Sequence, residues 1–283
     1  MRFEKWQALG NDYIIVERDD LPFELTPERV RRMCAAHFGA HSDGVLLISP
    51  PSDERFVASL RIFNPDGSEA ELSGNGAREA ILYLRRHGWT DRDEFSIETA
   101  AGEVRPTITS ETTCSVAMGR ARLSSPADFP AGGDDGRGTV LADGQEFAFQ
   151  FVSIGNPQCV IPVADGLEDL DLSRIGPQIE GSELFPNRTN VSFIRLERSG
   201  DRVRARIFER GVGETLASGT GASGAAVTAV LRGATSPVVV DLDGGELEVA
   251  VSDDLDVTLT GWAQPVYRGE FTDEFMRSLE EAT

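Results

Sequence analysis

Lysine is almost absent from this chain. Lys5 is the only one, and arginine supplies the rest of the 27 basic residues. A pyridoxal phosphate enzyme needs a lysine for its Schiff base. Lys5 sits near the N-terminus and is a poor candidate, so that cofactor is not expected. Histidine and cysteine are scarce too, at three each. His37, His41 and His87 are too scattered for a zinc site, and Cys34, Cys114 and Cys159 lack metal-ligand spacing. No metal is therefore expected. An odd cysteine count without a secretory leader reads as a reduced, cytoplasmic protein. No apolar run approaches the roughly 18 residues that a membrane crossing needs. Positive charge is also short: 47 acidic residues leave a net charge of −20. Nucleic acid phosphates would be repelled, which argues against such a partner. The acidity is spread along the chain and reads as a solvated surface.

What is present is a repeat. Ser73-Gly74-Asn75-Gly76-Ala77 returns 145 residues later as Ser218-Gly219-Thr220-Gly221-Ala222. The same offset relates Arg61-Ile62-Phe63 to Arg206-Ile207-Phe208, Glu69 to Glu214, Ala80 to Ala225, and Gly10-Asn11 to Gly155-Asn156. Single glycines match by chance. Several separate blocks in one register do not, and they indicate one domain made twice. A chain of 283 residues has room for both, each with its own core.

In chain order, Phe3–Trp6 and Tyr13–Val16 read as strands about a Gly10-Asn11 turn. Thr26 and Pro27 suit the N-cap and first position of a helix. Residues 44–48 and 56–63 read as strands, and Asn64-Pro65-Asp66-Gly67 as a turn. A helix is predicted from Gly74 to about Arg86, closed by Gly88. Segments 94–99, 102–109 and 113–119 read as a meander. Residues 124–137 are rich in Pro, Gly and Asp and form the candidate linker. Strands follow at 147–154, 159–163, 190–196 and 203–208, with a short helical piece at 175–180. The second central helix runs from Gly219 to about Arg232, then strands at 238–242 and 247–251 and a helical tail at 271–281. The expected fold is α+β. It has two pseudo-symmetric domains, each a mixed, mostly antiparallel sheet or barrel wrapped around a central helix. The domain ranges are 1–123 and 124–262, with the tail 263–283 returning to the first.

A glycine-rich turn that opens a helix presents free N–H groups and the positive end of the helix dipole. Two such ends suit one small carboxylate held between similar walls. Ser73 and Ser218 precede them, and each read alone is an N-cap serine. The string Gly219-Thr220-Gly221-Ala222-Ser223-Gly224 also fits a dinucleotide fingerprint. The context disagrees, because about ten residues separate Phe208 from Gly219 and the sister copy lacks the third glycine.

At these residues the chain resembles the diaminopimelate epimerase family. The blocks that carry the resemblance run nearly end to end: Leu9-Gly10-Asn11-Asp12, Asp43-Gly44, Asn64 to Ser68, Gly74 to Arg78, Gly155-Asn156-Pro157, Asn190-Val191, Glu209-Arg210-Gly211 and Gly219-Thr220-Gly221. The resemblance implies two pseudo-symmetric domains with the active site between them. It implies cofactor-independent interconversion of LL- and meso-diaminopimelate in lysine and peptidoglycan synthesis, on a small amino-acid substrate, and it is compatible with a homodimer. Carried over by position, Asn11, Asn64, Asn156, Asn190, Glu209 and Arg210 would hold the substrate. Amides, one carboxylate and one guanidinium are what a zwitterionic end requires. Gly74, Asn75, Gly219 and Thr220 would offer N–H groups to the carboxylate beside the reacting carbon.

The chain departs from the family at the centre. The family has a cysteine before each glycine-rich turn, one thiolate to remove the α-proton and one thiol to return a proton. Here those catalytic positions are Ser73 and Ser218. A thiol has a reference pKa near ~8.5, an alcohol is far less acidic, and no histidine adjoins either serine in sequence. The family's Gly-Asn-Pro-His is Gly155-Asn156-Pro157-Gln158 here, and its Gly-Ala-Arg-Cys is Gly76-Ala77-Arg78-Glu79. Three accounts stay open: deliberate replacement of both cysteines, a natural homologue that binds an amino acid without turnover, and altered chemistry on this or another substrate. A carboxylate base would require Glu71, Glu79 or Glu214 to face the cleft.

Overall fold

The computed structural model describes residues 1–71 and 73–282. Two compact units result, Met1–Val116 with Gly261–Thr283, and Ala117–Thr260. In chain order the first carries β1 (Arg2–Ala8), β2 (Asn11–Glu17), α1 (Pro27–Cys34), β3 (Val45–Ser49), β4 (Ser59–Phe63), β5 (Glu69–Ala70), α2 (Gly74–Arg86), β6 (Ile97–Thr99), β7 (Gly102–Val104) and β8 (Pro106–Ser110). Strand β9 (Thr113–Arg120) straddles the division. The second unit holds β10 (Arg137–Ala142), β11 (Gln145–Ser153), β12 (Pro157–Pro162), α3 (Leu172–Glu180), β13 (Asn190–Leu196), β14 (Arg202–Glu209), β15 (Gly213–Thr215), α4 (Gly219–Leu231), β16 (Val238–Leu242), β17 (Gly245–Val251) and most of β18 (Asp256–Trp262), which runs two residues past the division. The chain ends with β19 (Gln264–Glu270) and α5 (Asp273–Glu280), both in the first unit.

In the first unit the strand order is β19-β1-β2-β3-β4-β6-β7, with β5 paired to β4. Most neighbours are antiparallel, but β2–β3 and β4–β6 are parallel. In the second unit the order runs β10-β11-β12-β13-β14-β16-β17-β18, with β15 on β14. Here β12–β13 and β14–β16 are the parallel pairs. Among the described residues neither order closes into a barrel. The mixed, mostly antiparallel α+β class expected from the repeat is the one found.

The central helices form for local reasons. Ser73 is extended at φ −127° and its Oγ accepts the Gly76 N–H; Ser218 at φ −140° does the same for Gly221. Gly88 and Gly233 stand one residue beyond the C-caps with φ of +74° and +98°, where a Cβ would be strained. Helix α2 lies on β1, β2 and β3. Helix α4 is glycine, alanine, serine, threonine and valine almost throughout, and it is buried from Gly219 to Ala229 save for Thr220. Its small side chains let β12, β13, β14, β16 and β17 approach it closely. Each unit has its own core. Ile14, Val16, Val30, Met33, Val45, Leu47 and Leu279 pack in one, and Phe129, Phe149, Phe151, Phe185, Phe193 and Ile179 in the other.

One strand, β19, carries no clear signal in the sequence. Strand β19 is the outermost of its sheet, paired on one side with β1, and most of its residues are exposed. No alternation of apolar residues is needed there, so none marks it.

Candidate active site

The repeated blocks make the same contacts in both units. Arg61 grips Glu69 at 2.8 and 2.7 Å, and Arg206 grips Glu214 at 3.0 and 2.7 Å. Asn75 Nδ2 donates to Asn11 Oδ1 at 3.3 Å, and Asn156 Nδ2 donates to Thr220 Oγ1 at 3.3 Å. The cap serines accept the third helical N–H at 3.1 Å (Gly76) and 3.3 Å (Gly221). That leaves the first two N–H groups of each helix, those of Gly74-Asn75 and Gly219-Thr220, without an intrahelical acceptor. They are the groups assigned above to a substrate carboxylate.

The first unit gathers Asn11, Ser73, Gly74 and Asn75. A hydrogen-bond chain orders them. The guanidinium of Arg78, fully buried, donates to Gly74 O at 3.0 Å and to Asn75 Oδ1 at 2.6 Å. Asn75 passes the chain to Asn11, whose Nδ2 donates to Asp43 Oδ2 at 2.8 Å. Asn64 sits in its turn, with Nδ2 donating to Ser68 Oγ at 2.9 Å. Tyr13 OH donates to Ser73 Oγ at 3.3 Å.

The second unit gathers Asn156, Asn190, Glu209, Arg210, Ser218, Gly219 and Thr220. Ser218 is 5% exposed, and its Oγ donates to Glu209 Oε2 at 2.8 Å. Thr215 Oγ1 holds the other carboxylate oxygen, also at 2.8 Å. Asn190 is buried with both ends of its amide engaged: Oδ1 accepts from Arg210 N at 2.9 Å and Nδ2 donates to Pro157 O at 3.0 Å. It pins the Glu209-Arg210-Gly211 turn to β12. The Arg210 side chain is exposed and donates to Asn187 O at 2.9 Å. Gln158 Nε2 donates to Asn156 Oδ1 at 2.7 Å.

Two groups that sequence reasoning did not single out therefore touch the serines or their partners, Tyr13 and Thr215. Glu209 had a substrate role only, and folding adds contact with Ser218. Nothing in the spacing marks Tyr13, which is 60 residues from Ser73. Glu209 and Ser218 meet because β14 and β15 form a hairpin, with Glu209 paired to Gly213. The other carboxylates considered as bases are placed otherwise. Glu214 is held by Arg206, and Glu71 is exposed. Glu79 is fully buried; burial pushes its pKa well above the carboxylate range, and Arg78 offsets only part of that.

The three cysteines do not replace the missing pair. All are buried. Burial raises Cys34 to about 11 and Cys114 to about 12, and pushes Cys159 well up. None carries a thiolate near neutral pH. No group of three or more His, Cys, Asp or Glu among the described residues is arranged to hold a metal. No helix among them is long and apolar enough to cross a membrane.

The sequence profile of the diaminopimelate epimerase family matches residues 3–124 and 150–266. The chain is 42% identical over 280 residues to diaminopimelate epimerase 2 of Nostoc sp. (strain PCC 7120), covering 97% of this chain and 96% of that one. It is 40% identical to the diaminopimelate epimerase of Azoarcus sp. (strain BH72), covering 95% and 98%. Among solved structures, the fold is similar to a Bacillus anthracis phenazine biosynthesis protein of the PhzF family (TM-score 0.69, 20% identity, 96% and 99% covered). It is also similar to a hydroxyproline epimerase from Agrobacterium vitis with bound trans-4-hydroxy-L-proline (TM-score 0.66, 17% identity, 99% and 98% covered).

Proposed function

The chain belongs to the diaminopimelate epimerase family, and from that premise we propose that it binds diaminopimelate and interconverts the LL and meso forms with two hydroxyls in place of two thiols, at a reduced rate. The observation that carries this reading is the Ser218–Glu209 hydrogen bond of 2.8 Å beside the free N–H groups of Gly219 and Thr220. A serine needs a neighbouring base to act on a proton, and a carboxylate stands there. As the α-proton leaves, the bonding pair moves onto the substrate carboxylate, which the helix N–H groups stabilise as charge develops. Ser73 works on the opposite face with Gly74 and Asn75. Asn11, Asn64, Asn156, Asn190, Glu209 and Arg210 supply the amide, anionic and cationic contacts for the substrate's zwitterionic ends. The chemistry proceeds without a cofactor, and a reducing cytoplasm suits the three free cysteines.

The test is deuterium exchange at the α-carbon of diaminopimelate, followed by NMR, alongside Ser73→Cys/Ser218→Cys. The parent exchanges slowly, and the double variant is faster by about 100-fold or more, the usual worth of a well-matched acid–base pair. Calorimetric binding without exchange in either protein would leave an amino-acid-binding homologue. Neither binding nor exchange would remove both readings.

A further inference from the structure

The two serines do not have equivalent partners. Ser218 donates to an anionic acceptor, Glu209. Ser73 instead receives two donors, Gly76 N–H at 3.1 Å and the Tyr13 hydroxyl at 3.3 Å. With both lone pairs of Ser73 Oγ occupied, its own hydrogen is left to point elsewhere.

The tyrosine is brought there by a built slot. Tyr13 lies on β2 and is 5% exposed. A methyl group on Gly44 would lie 2.6 Å from Tyr13 Cε1, and one on Gly76 would lie 3.3 Å from Tyr13 Cε2. Gly44 is needed for the ring to pass, and Gly76 spares it a tight contact. The repeat shows that this is not a general feature of the domain. The position equivalent to Tyr13 in the second unit is Gln158, which turns to Asn156, and the position equivalent to Gly44 is Thr189.

We propose that Tyr13 is a positioning residue for Ser73, donating a hydrogen bond that stabilises Ser73 Oγ whenever that oxygen carries negative charge. This rests on the epimerase reading above for its chemical use. In that use Ser218 passes its O–H proton to Glu209, the Cα–H bond breaks on one face, its pair passes to the substrate carboxylate, and the α-proton goes to Ser218 Oγ. The other serine gives its O–H proton to the opposite face of the same carbon. A phenol is more acidic than an alcohol, so Tyr13 shares its proton with Ser73 Oγ as negative charge develops there. Its hydrogen bond strengthens as Ser73 Oγ becomes anionic, since a bond to a charged acceptor is about twice as strong as a neutral one. Phenylalanine would fill the same slot and remove only the donor.

The experiment uses Ser73→Cys with and without Tyr13→Phe. The native cysteines are buried, so alkylation by iodoacetamide reads the introduced thiol. A donor to the thiolate lowers its pKa. The pH dependence of alkylation should therefore shift upward by about 1 unit when Tyr13→Phe is added, with circular dichroism unchanged. In the otherwise unaltered protein, Tyr13→Phe should slow α-proton exchange about tenfold at constant KM, and it should cost nothing further in Ser73→Ala. An unmoved thiol pKa overturns the assignment, as does an equal loss of exchange in the Ser73→Ala background. A shifted thiol in a protein that never exchanges diaminopimelate keeps Tyr13 in this role and ends the epimerase reading.

Discussion

Glu79 is the residue at which burial and charge conflict most. It stands in the middle of α2, fully buried, and its ordinary pKa is pushed well up by desolvation. The consequence for stability has a definite sign. Below the unfolded pKa of about 4.3, both states hold the proton and Glu79 costs nothing electrostatic. Above it the unfolded chain releases the proton while the folded chain retains it. Native stability then falls by about 1.4 kcal/mol per pH unit from this group until the raised folded pKa is reached. Glu79→Gln removes the titration while keeping the shape. Urea unfolding at several pH values should show the variant gaining on the parent as the pH rises above about 4.5. A constant difference across that range would mean that Glu79 folds ionised. Arg78, one position earlier, shows the opposite solution. It too is fully buried, with its pKa lowered by burial, but its guanidinium is spent on Gly74 O and Asn75 Oδ1.

At the scale of elements, the close approach of strands to α2 sets what can be changed. Gly44 precedes β3, and a methyl group there would lie 2.2 Å from Phe63 O on β4, besides meeting the Tyr13 ring. A backbone carbonyl cannot step aside as a flexible side chain can. Gly44→Ala is expected to cost about 3 kcal/mol, the upper range of ordinary overpacking, measured by chemical denaturation. It should also disturb the Tyr13–Ser73 contact. Gly221→Ala offers a contrast within α4. Its added methyl group would meet Ile207 Cδ1 at 2.7 Å, the end of a side chain that can rotate, so its cost should be the smaller of the two. Equal costs would show that Ile207 is no freer to move aside than the Phe63 carbonyl.

For the whole molecule, charge decides the response to salt. Ion pairs such as Arg61–Glu69, Arg105–Glu103 and Arg202–Glu246 sit at the surface. Each contributes little to stability and is weakened further by salt. Against them stands the excess of 47 acidic over 27 basic residues. Even if every cation were paired, that excess would repel itself, and screening relieves it over a Debye length of about 10 Å at 0.1 M. The melting temperature should therefore rise between about 10 mM and 0.5 M sodium chloride. A fall would show that the pairs outweigh the repulsion.

The sequence by itself determined the features that depend on neighbours a few residues apart. The repeat in register, the two glycine-opened helices, their serine caps and their closing glycines all follow from helix geometry and from the φ that only glycine adopts cheaply. The α+β class follows from the alternation of strands and two central helices, and the family from blocks spread along the chain. Tertiary structure decided the surroundings of Ser73 and Ser218. Tyr13 reaches Ser73 only because Gly44 leaves a slot for its ring, and Glu209 reaches Ser218 only through a hairpin. It also decided that Glu79 is buried while Glu214 is held at the surface by Arg206. The physical reason is common to all of these. Hydrogen-bond partners and local dielectric are set by residues distant in the chain, and the acidity of a hydroxyl or carboxyl depends on both.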